Sequence, residues 1–530
     1  MASVNDEAVG QRTGIGRRRF LAGLGISAAG VLTLSNVEAL AEVAEGPVPT
    51  SAPDPRFSRM FQLPAFANPQ STAVRDAMID IGKPGGMMDA ADPLNEGPIR
   101  LITNPELSPR NVDQDVRTMT TGTTFVGQFL DHDITFDNTS KLGVVAEPTQ
   151  TPNLRNPRLD LDSVYGGGPS VSPQLYSNTD RAKFRIESGG LFEDLPRNRD
   201  LTAIIADSRN DENLMIAGLT AAFLLAHNRT VDLRRANGLP GDPWLGAQQT
   251  IMHHWQWIVV NEFLPQVVGR SLVDDILRNG RRWYRFTRPT MPVEFQTGAY
   301  RFGHSLIRPS YDANQQGDPG GNSATGAPAF ITFVFDPAAE GQADPIDLRG
   351  GARAPRRFID WQAFFDFGGD QTKLVRPNKR IDTNISTPLF RLPLAAIPNR
   401  NAPTALPQRT LLRHLTWSMP SGQRIAASTG SPVLGSDHFP ELRQYGIGLE
   451  ASTPLWYYTL REASVLNNGT QLGPVGGRIV AETIIGLLQL DESSYLNTRF
   501  QPSLPSQTPG TFTMTDLLRW ARVDPTSRGQ

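Results

Sequence analysis

The chain has 530 residues, of which 51 are basic and 53 acidic, so its charge gives no reason to expect a nucleic-acid partner. It contains no cysteine, which excludes disulfides, thiolate nucleophiles and every metal or haem centre that depends on a cysteine ligand. Length alone allows roughly two to four domains, and 48 glycines with 43 prolines predict many loops.

The N-terminus has the pattern of an export signal. Arg17-Arg18-Arg19 precede a Phe-Leu pair and a small, mildly apolar stretch over residues 22–34, and Ala39-Leu40-Ala41 matches a small-x-small cleavage site. The apolar stretch is too short and too rich in glycine and alanine for a stable membrane span. We therefore predict a Tat-type signal peptide at residues 1–41 and a mature protein that is periplasmic or secreted.

The rest of the chain divides by composition into an arm and a main body. Residues 42–99 are rich in proline and irregular, which predicts an N-terminal arm that wraps the main body. From about residue 100, apolar residues recur at helical spacing between Pro, Gly and Asn loops. The pattern predicts a mainly α-helical domain over residues 100–525.

The most informative segment is the helical pattern over residues 123–137. Gln128 and His132 stand four residues apart, and therefore on one helix face, while Asp131 and Asp133 flank the histidine. Phe129 and its apolar neighbours would bury the helix. A histidine between two acids is costly to bury unless each charge has a partner. A solvated helix end is the alternative, but the amide one turn back and the apolar walls favour a site.

A loop over residues 153–169 carries a second candidate site. Asn156, Asp160 and Asp162 alternate with other residues, so their oxygens would point the same way in an extended loop. Carboxylate, amide and carbonyl oxygens at this spacing suit a hard cation such as Ca²⁺, although the glycine and glutamate of an EF-hand are missing. A solvated acidic turn is the alternative.

Three later segments complete the candidate residues. Arg209 and Glu212 lie where a long helical pattern begins, and acids at a helix start are ordinary complements of the helix dipole. Gly303 precedes His304 and would let a backbone or a flat cofactor approach closely, although a lone histidine in such a setting is more often structural. A further helical segment over residues 406–423 contains Arg413.

In this order, the Gln-x-x-x-His helix, Arg209 and Gly303-His304 resemble the motifs of the animal-type haem peroxidases, the peroxidase–cyclooxygenase superfamily. The resemblance covers about residues 100–523. It implies a large single-domain helical haem peroxidase fold with little β-structure, and haem b with His304 as the iron ligand. It also implies that His132 transfers protons, that Arg209 stabilises charge on the peroxide, and that Gln128 holds a water, peroxide or anion near the iron.

The resemblance assigns further residues to the cofactor and to calcium. Arg413 matches the partner of a haem propionate, and Thr410 stands where the family usually has an asparagine that accepts the N–H of the proximal histidine. Asp131 and Glu212 match carboxylates that bond covalently to haem in mammalian members, so covalent attachment is an expectation to test. The resemblance implies a calcium site formed by Asp133, Asn156, the carbonyl of Arg158, Asp160 and Asp162.

The function that the resemblance implies is that of a haem-dependent peroxidase. It would reduce hydrogen peroxide and oxidise small phenolic or halide reductants via a ferryl intermediate, in a response to oxidative stress. One alternative is a fatty-acid dioxygenase of the same superfamily; those members carry a radical tyrosine where this chain has Arg301, with Tyr300 beside it. The other is an exported haem-binding or structural protein without activity, against which the intact motif residues argue.

Overall fold

Most of the regular structure is helical in the computed structural model, which describes residues 54–114, 119–188, 193–314, 330–353, 356–397 and 400–524. The α-helices of these ranges are α1 (Thr72–Ile81), α2 (Pro98–Thr103), α3 (Thr121–Ile134), α4 (Asp162–Tyr165), α5 (Gly168–Val171), α6 (Leu214–Ala236), α7 (Pro243–Ile258), α8 (Leu264–Val268), α9 (Arg270–Asn279), α10 (Gly303–Leu306), α11 (Leu406–Thr416), α12 (Gly422–Thr429), α13 (Leu455–Asn467), α14 (Pro474–Leu490) and α15 (Met514–Trp520). The predicted signal peptide lies outside the described residues and stays a prediction.

Strands are few and short. They are β1 (Phe57–Ser58), β2 (Glu187–Ser188), β3 (Glu193–Asp194), β4 (Met291–Pro292), β5 (Ser310–Asn314) and β6 (Phe330–Phe333). β1 pairs in parallel with β4, whereas β2 with β3 and β5 with β6 form antiparallel pairs. The predicted fold class, mainly α-helical with little β-structure, is confirmed.

Helix α3 lies in the middle of one contiguous hydrophobic core, and every residue of it except Gln128 is buried. Phe129 stacks on Phe223 of α6 at 4.7 Å between ring centroids and meets Trp255 of α7 edge-on at 5.4 Å. At Gly122 a Cβ atom would lie 2.5 Å from the Phe365 ring, so only glycine allows this approach. Such aromatic packing, worth roughly 1.5–3 kcal/mol per buried large side chain, fixes the position of the helix.

Helix α6 has the length and hydropathy of a membrane span, and it is the only helix of the described residues that does. However, 83% of its most apolar window is buried inside the protein. A core helix of a folded domain has this property, because it must be apolar on nearly every side.

The segment that carries His304 is an interrupted helix. A π-helical stretch (Glu294–Gly298) passes into a 3₁₀ stretch (Ala299–Phe302) and then into α10. The Glu294 carboxylate is fully buried and accepts hydrogen bonds from the backbone N–H groups of Met60 and Phe61 at 2.9 and 3.1 Å. The N-terminal residues of the described chain are therefore fastened to this segment.

Candidate functional site

A cavity of about 270 Å³ lies among α3, the interrupted helix and α11. It brings together residues that are far apart in the sequence. All eight residues predicted to serve catalysis or to hold the cofactor line it: Gln128, Asp131, His132, Arg209, Glu212, His304, Thr410 and Arg413.

His132 is buried and held from two sides. Its Nδ1 lies 2.9 Å from Oδ1 of Asn210, and its Nε2 lies 3.4 Å from Oε1 of Glu212. Gln128 donates a hydrogen bond from Nε2 to the same Glu212 oxygen, and its own Oε1 accepts one from Asn213 at 3.2 Å. Gln128 and His132 therefore share a helix face as predicted, and both contact Glu212. The three side chains form a polar cluster in the cavity lining.

Arg209 lines the cavity but is largely engaged by the protein. It donates to both oxygens of Asp207 at 3.0 and 2.7 Å, and to the carbonyl oxygens of His132 and Thr135 at 3.0 and 2.9 Å. These bonds use four of the five N–H groups of a guanidinium. Burial alone raises the pKa of Asp207, but the charges of Arg209 and Arg155 hold it well below its usual range. Arg209 is thus a fixed cation with one N–H left.

The backbone around Arg209 differs from the sequence prediction. Arg209 does not open the long helix; it lies on a separate 3₁₀ turn, Ser208–Asp211, and α6 begins afterwards at Leu214. Asp207 caps the turn by accepting from the N–H of Arg209 at 2.9 Å, and Asn213 caps α6. The caps at Asp207 and Asn213 therefore separate the turn from the helix, where the sequence predicted one continuous helical pattern.

His304 faces the same cavity as a neutral imidazole. Its burial, and next the charge of Arg301, lower its pKa well below 6.5. Its Nδ1 lies 3.4 Å from Oγ1 of Thr410, which itself donates to the carbonyl of Leu406 at 3.1 Å. Because that hydroxyl gives its proton away, its lone pairs remain to accept the N–H of His304, and the other imidazole nitrogen is left as a ligand for iron.

The residues present fit a haem group. An added Cβ at Gly303 would meet no atom within 4 Å, although Gly303 lines the cavity, so the chain leaves open space beside His304. Oδ1 of Asp131 is buried without a hydrogen-bond partner within the described ranges, while Oδ2 lies 3.5 Å from Arg301. Arg413, predicted to meet a propionate, pairs with Asp137 at 2.7 Å and still lines the cavity.

The predicted calcium residues form a second site behind α3. Oxygens of Asp133, Asp160 and Asp162 all lie within 4.8 Å of one another. Burial, and next the charge of Asp160, raise the pKa of Asp133 well above 3.8. Burial with the charge of Asp162 raises the pKa of Asp160 to about 8, and burial raises that of Asp162 to about 6. Three clustered acids of this kind, of which Asp133 is fully buried, fit a divalent cation, whose charge would relieve their repulsion.

Asn156 and Arg158 take different parts in this second site. The N–H of Asn156 donates to Asp162 at 3.0 Å and its side-chain amide donates to Asp160, whereas its Oδ1 is buried without a hydrogen-bond partner in the described chain. That free oxygen suits a cation ligand. The side chain of Arg158 lies 4.0 Å from Asp491, and the assignment of its carbonyl to the cation stays a prediction.

The loop reaches this arrangement by a backbone that differs from the extended one predicted. Leu159 and Leu161 adopt left-handed conformations with φ of 55° and 61°. Left-handed backbone at such residues costs about 1–3 kcal/mol each. Both leucine side chains are fully buried in the core, which offsets this cost and turns Asp160 and Asp162 towards Asp133.

Three residues that the sequence did not single out hold these sites together. Asn210 contacts His132, Asp207 holds Arg209, and Arg155 lies within ion-pair distance of both Asp162 and Asp207, at 3.4 and 3.2 Å. Asn210 follows Arg209 directly and Asp207 precedes it by two residues, and this proximity in the sequence was the available signal. Spacing could not reveal their contacts, since a 3₁₀ turn presents its side chains in other directions than an α-helix.

Comparisons with known proteins show what the sequence is similar to. Residues 138–346 match the animal haem peroxidase family, a range that includes Arg209 and His304 but not α3. The peroxidasin homolog pxn-2 of Caenorhabditis elegans is 25% identical over 270 residues, which cover 45% of this chain and 18% of that protein. The chain spans between 18% and 24% of the length of the first curated relatives it matches.

Two solved structures share the fold. Peroxidase A from Dictyostelium discoideum superimposes with a TM-score of 0.58 at 14% identity, covering 88% of this chain and 92% of that one. Fatty acid alpha-dioxygenase from Oryza sativa gives a TM-score of 0.51 at 14% identity, covering 77% and 73%. At such low identities the likeness concerns the fold alone, and the residues of the cavity must distinguish between the activities.

Proposed function

We propose that the chain is a member of the peroxidase–cyclooxygenase superfamily and acts there as a haem peroxidase that reduces hydrogen peroxide and oxidises small phenolic or halide reductants. One observation carries the proposal: the proton-accepting His132, the cationic Arg209 and the neutral His304 line a single cavity. A peroxidase needs these three groups, namely a base, a positive charge and an axial iron ligand.

His132 would carry the proton. A neutral imidazole takes a proton from the inner oxygen of hydrogen peroxide at Nε2 and returns it to the outer oxygen, which leaves as water. Haem, when bound through His304, supplies the redox centre that takes up the two oxidising equivalents. Nε2 is the nitrogen left for this transfer, because Nδ1 contacts Asn210 at 2.9 Å.

Arg209 would act mainly through its positive charge rather than through several hydrogen bonds to the substrate. Its bonds to Asp207 and to two carbonyls of the α3 end fix the guanidinium, so no reorganisation is needed as negative charge develops on the oxygen that leaves. Gln128 and Glu212 form the polar wall beside His132 and would hold a water, a peroxide or an anion.

We further propose that the acidic cluster of Asp133, Asp160 and Asp162 binds calcium as a structural ion. Asp133 follows His132 on α3, so an ion at the cluster would tie the loop to the helix that bears the catalytic base. Export through the Tat route to the periplasm or beyond remains part of the same proposal. It rests on the twin-arginine pattern near the N-terminus and on the absence of cysteine.

A fatty-acid dioxygenase is the second candidate, because the fold resembles that of a plant alpha-dioxygenase. The residue three positions before His304 argues for the peroxidase. It is Arg301, whose guanidinium lies 3.5 Å from Asp131 and whose Nε donates to the carbonyl of Gln296 at 2.6 Å. A radical tyrosine at that position is absent.

The test is the rate at which peroxide changes the Soret band of the haem-loaded protein. His132→Ala and Arg209→Ala should each slow it by about 10²–10⁴-fold, the usual value of general acid–base assistance. His438→Ala, at an exposed histidine remote from the cavity lining, is the matched control and should react like the wild type. A His132→Ala protein that reacts at the wild-type rate would overturn the proposal.

A further inference from the structure

We propose that Asn210 is a positioning residue that keeps the proton of neutral His132 on Nδ1 and thereby keeps Nε2 as the base in the cavity. Its importance for turnover rests on the proposed peroxidase function. The placement of the proton does not, because it follows from the hydrogen bonds of Asn210 to the His132 side chain and to the backbone carbonyl of Ser163. Asn210 lies on the 3₁₀ turn next to Arg209 and is completely buried.

The orientation of the Asn210 amide is fixed by a neighbour that can only accept. Nδ2 of Asn210 lies 3.0 Å from the carbonyl oxygen of Ser163, and a backbone carbonyl has no proton to donate. The NH₂ end must therefore point to Ser163, and the oxygen end must point to His132. The same reasoning removes the ambiguity between the two ends of an asparagine amide.

The amide oxygen in turn determines the tautomer of the histidine. Oδ1 of Asn210 lies 2.9 Å from Nδ1 of His132. An unprotonated Nδ1 would place two acceptors against each other in a buried site, which is strongly disfavoured. The contact of Nε2 with Glu212 is longer, at 3.4 Å, so the acceptor at 2.9 Å decides where the single proton of a neutral imidazole lies. Nδ1 therefore carries the proton, and the lone pair lies on Nε2.

The charged groups around His132 are compatible with this role. Glu212 faces Nε2 at 3.4 Å, and Asp207 with Arg209 lies on the turn packed against α3. An imidazolium would donate to Asn210 and to Glu212 together. When it gives up one proton, the bond to Asn210 retains the proton on Nδ1, so Nε2 is the atom that exchanges protons with a bound substrate. Asp131 and Asp133 are the flanking acids on the same helix.

Two substitutions separate this role from a merely structural one. Asn210→Ala removes both hydrogen bonds, to His132 and to Ser163. Asn210→Asp also loses the donor to Ser163, but it keeps an oxygen that accepts from Nδ1. A structural role through Ser163 predicts that both variants behave alike, whereas positioning of the proton predicts that only Asn210→Ala fails.

The direct measurement is the ¹⁵N spectrum of the full-length chain, labelled at histidine and prepared without haem. His132→Gln identifies the His132 signals among the seven histidines. The wild type and Asn210→Asp should show a neutral His132 protonated at Nδ1, and Asn210→Ala should gain the Nε2-protonated form. A wild-type His132 protonated at Nε2 overturns the proposal even if Asn210→Ala does not fold, and so does an Asn210→Ala spectrum identical to the wild type.

The second measurement is the rate at which the haem-loaded proteins react with peroxide. Asn210→Ala should react about 10–100-fold more slowly, the loss typical when the partner that orients a metal-binding histidine is removed. Asn210→Asp should stay within about tenfold of the wild type, because its carboxylate oxygen still accepts from Nδ1 of His132. A wild-type protein that does not react with peroxide, although the ¹⁵N spectra show the expected tautomers, would refute the peroxidase function but not the placement of the proton. Equal rates in all three reactive proteins would refute the positioning role.

Discussion

The Nε atom of Arg155 lies 3.2 Å from Oδ2 of Asp207, and this contact connects the acidic cluster to the cavity. On its other side Arg155 reaches Asp162 of the cluster at 3.4 Å, and Asp207 holds Arg209. The arginine is thus shared between a candidate cation site and the carboxylate that fixes the charge beside His132. A change at the cluster is therefore expected to reach the cavity.

Removing calcium should destabilise the protein, and more so at higher pH. The folded-state pKa values of Asp160 and Asp162 are raised from 3.8 to about 8 and about 6. Such acids contribute stability while they are protonated, below about pH 4, and lose it as the pH rises through these values. With a chelator, the melting temperature should fall between about pH 5 and pH 8, and a hundredfold excess of calcium over its Kd should restore about 2.7 kcal/mol.

Terbium offers a sensitive probe of the same cluster. The indole Nε1 of Trp255 donates to Oδ2 of Asp133 at 3.3 Å, so excitation of tryptophan should sensitise a bound Tb³⁺ ion. Trp255→Phe should remove most of this luminescence, and Asp160→Ala should prevent binding. Luminescence that survives in Asp160→Ala, or a melting temperature indifferent to calcium at pH 8, would contradict a structural ion at the cluster.

His304→Ala should abolish stable haem incorporation. His132 is the other histidine that lines the cavity, but its two ring nitrogens already contact Asn210 and Glu212, the second of which belongs to the polar wall. The ratio of Soret to protein absorbance after reconstitution measures the loss. His438→Ala, at an exposed histidine, should incorporate haem fully. A normal Soret band in His304→Ala would exclude His304 as the ligand.

Substitutions of Thr410 should tune the electron donation of His304 in opposite directions. The contact between Thr410 Oγ1 and His304 Nδ1 is long, at 3.4 Å. Thr410→Asn should provide a stronger acceptor and lower the reduction potential of the haem, whereas Thr410→Val should raise it and slow the peroxide reaction by about tenfold. Potentiometric titration of the three proteins measures the order, and potentials that do not change would show that the threonine hydroxyl is not an acceptor here.

Covalent attachment of haem should involve Asp131 and Glu212. Both line the cavity, and the buried, unbonded oxygen of Asp131 is available to react. After turnover with peroxide, acid–organic extraction should leave part of the haem on the polypeptide. Asp131→Asn and Glu212→Gln should each reduce this fraction, and the double variant should release all haem. Complete extraction from the wild type would refute an ester link.

Tyr300→Phe should leave peroxide-driven phenol oxidation nearly unchanged. The Tyr300 hydroxyl donates to the carbonyl of Gly127 at 2.9 Å, and burial raises its pKa well above 10. Loss of this bond costs about 1 kcal/mol of stability, and no proton transfer is lost. Oxygen uptake with an unsaturated fatty acid is the comparison: uptake that dominates in the wild type and disappears in Tyr300→Phe would identify a dioxygenase.

Helical periodicity predicted the fold class, because it depends on residues that are near each other in the chain. The order of the motifs predicted which residues line the cavity, because it matches the order in a known family. Gln128, His132 and His304 lie in one cavity as expected. Short-range patterns could not show that Arg209 is bonded to Asp207 and to the end of α3, because those contacts join the turn at residue 209 to residues 132 and 135.

The cation loop shows a second limit of sequence reasoning. Alternating oxygens predicted an extended backbone, which would have turned them to one side. The actual loop uses left-handed Leu159 and Leu161, a conformation that leucine alone gives no reason to expect. Burial of the two leucine side chains in the core offsets the cost of this conformation. Because distant segments of the chain form that core, the sequence of the loop alone does not predict it.

The hydrogen bonds that Glu294 accepts from the N–H groups of Met60 and Phe61 have a consequence for biosynthesis. The partners are separated by 234 and 233 residues, so these bonds can form only after the segment around residue 294 has been synthesised. The packing of helix α1 on α11 forms later still, because α11 comprises residues 406–416. The native contacts of the N-terminal region are therefore completed only when most of the domain has been made. A translocation machinery that accepts chains only after they have folded would suit such an assembly.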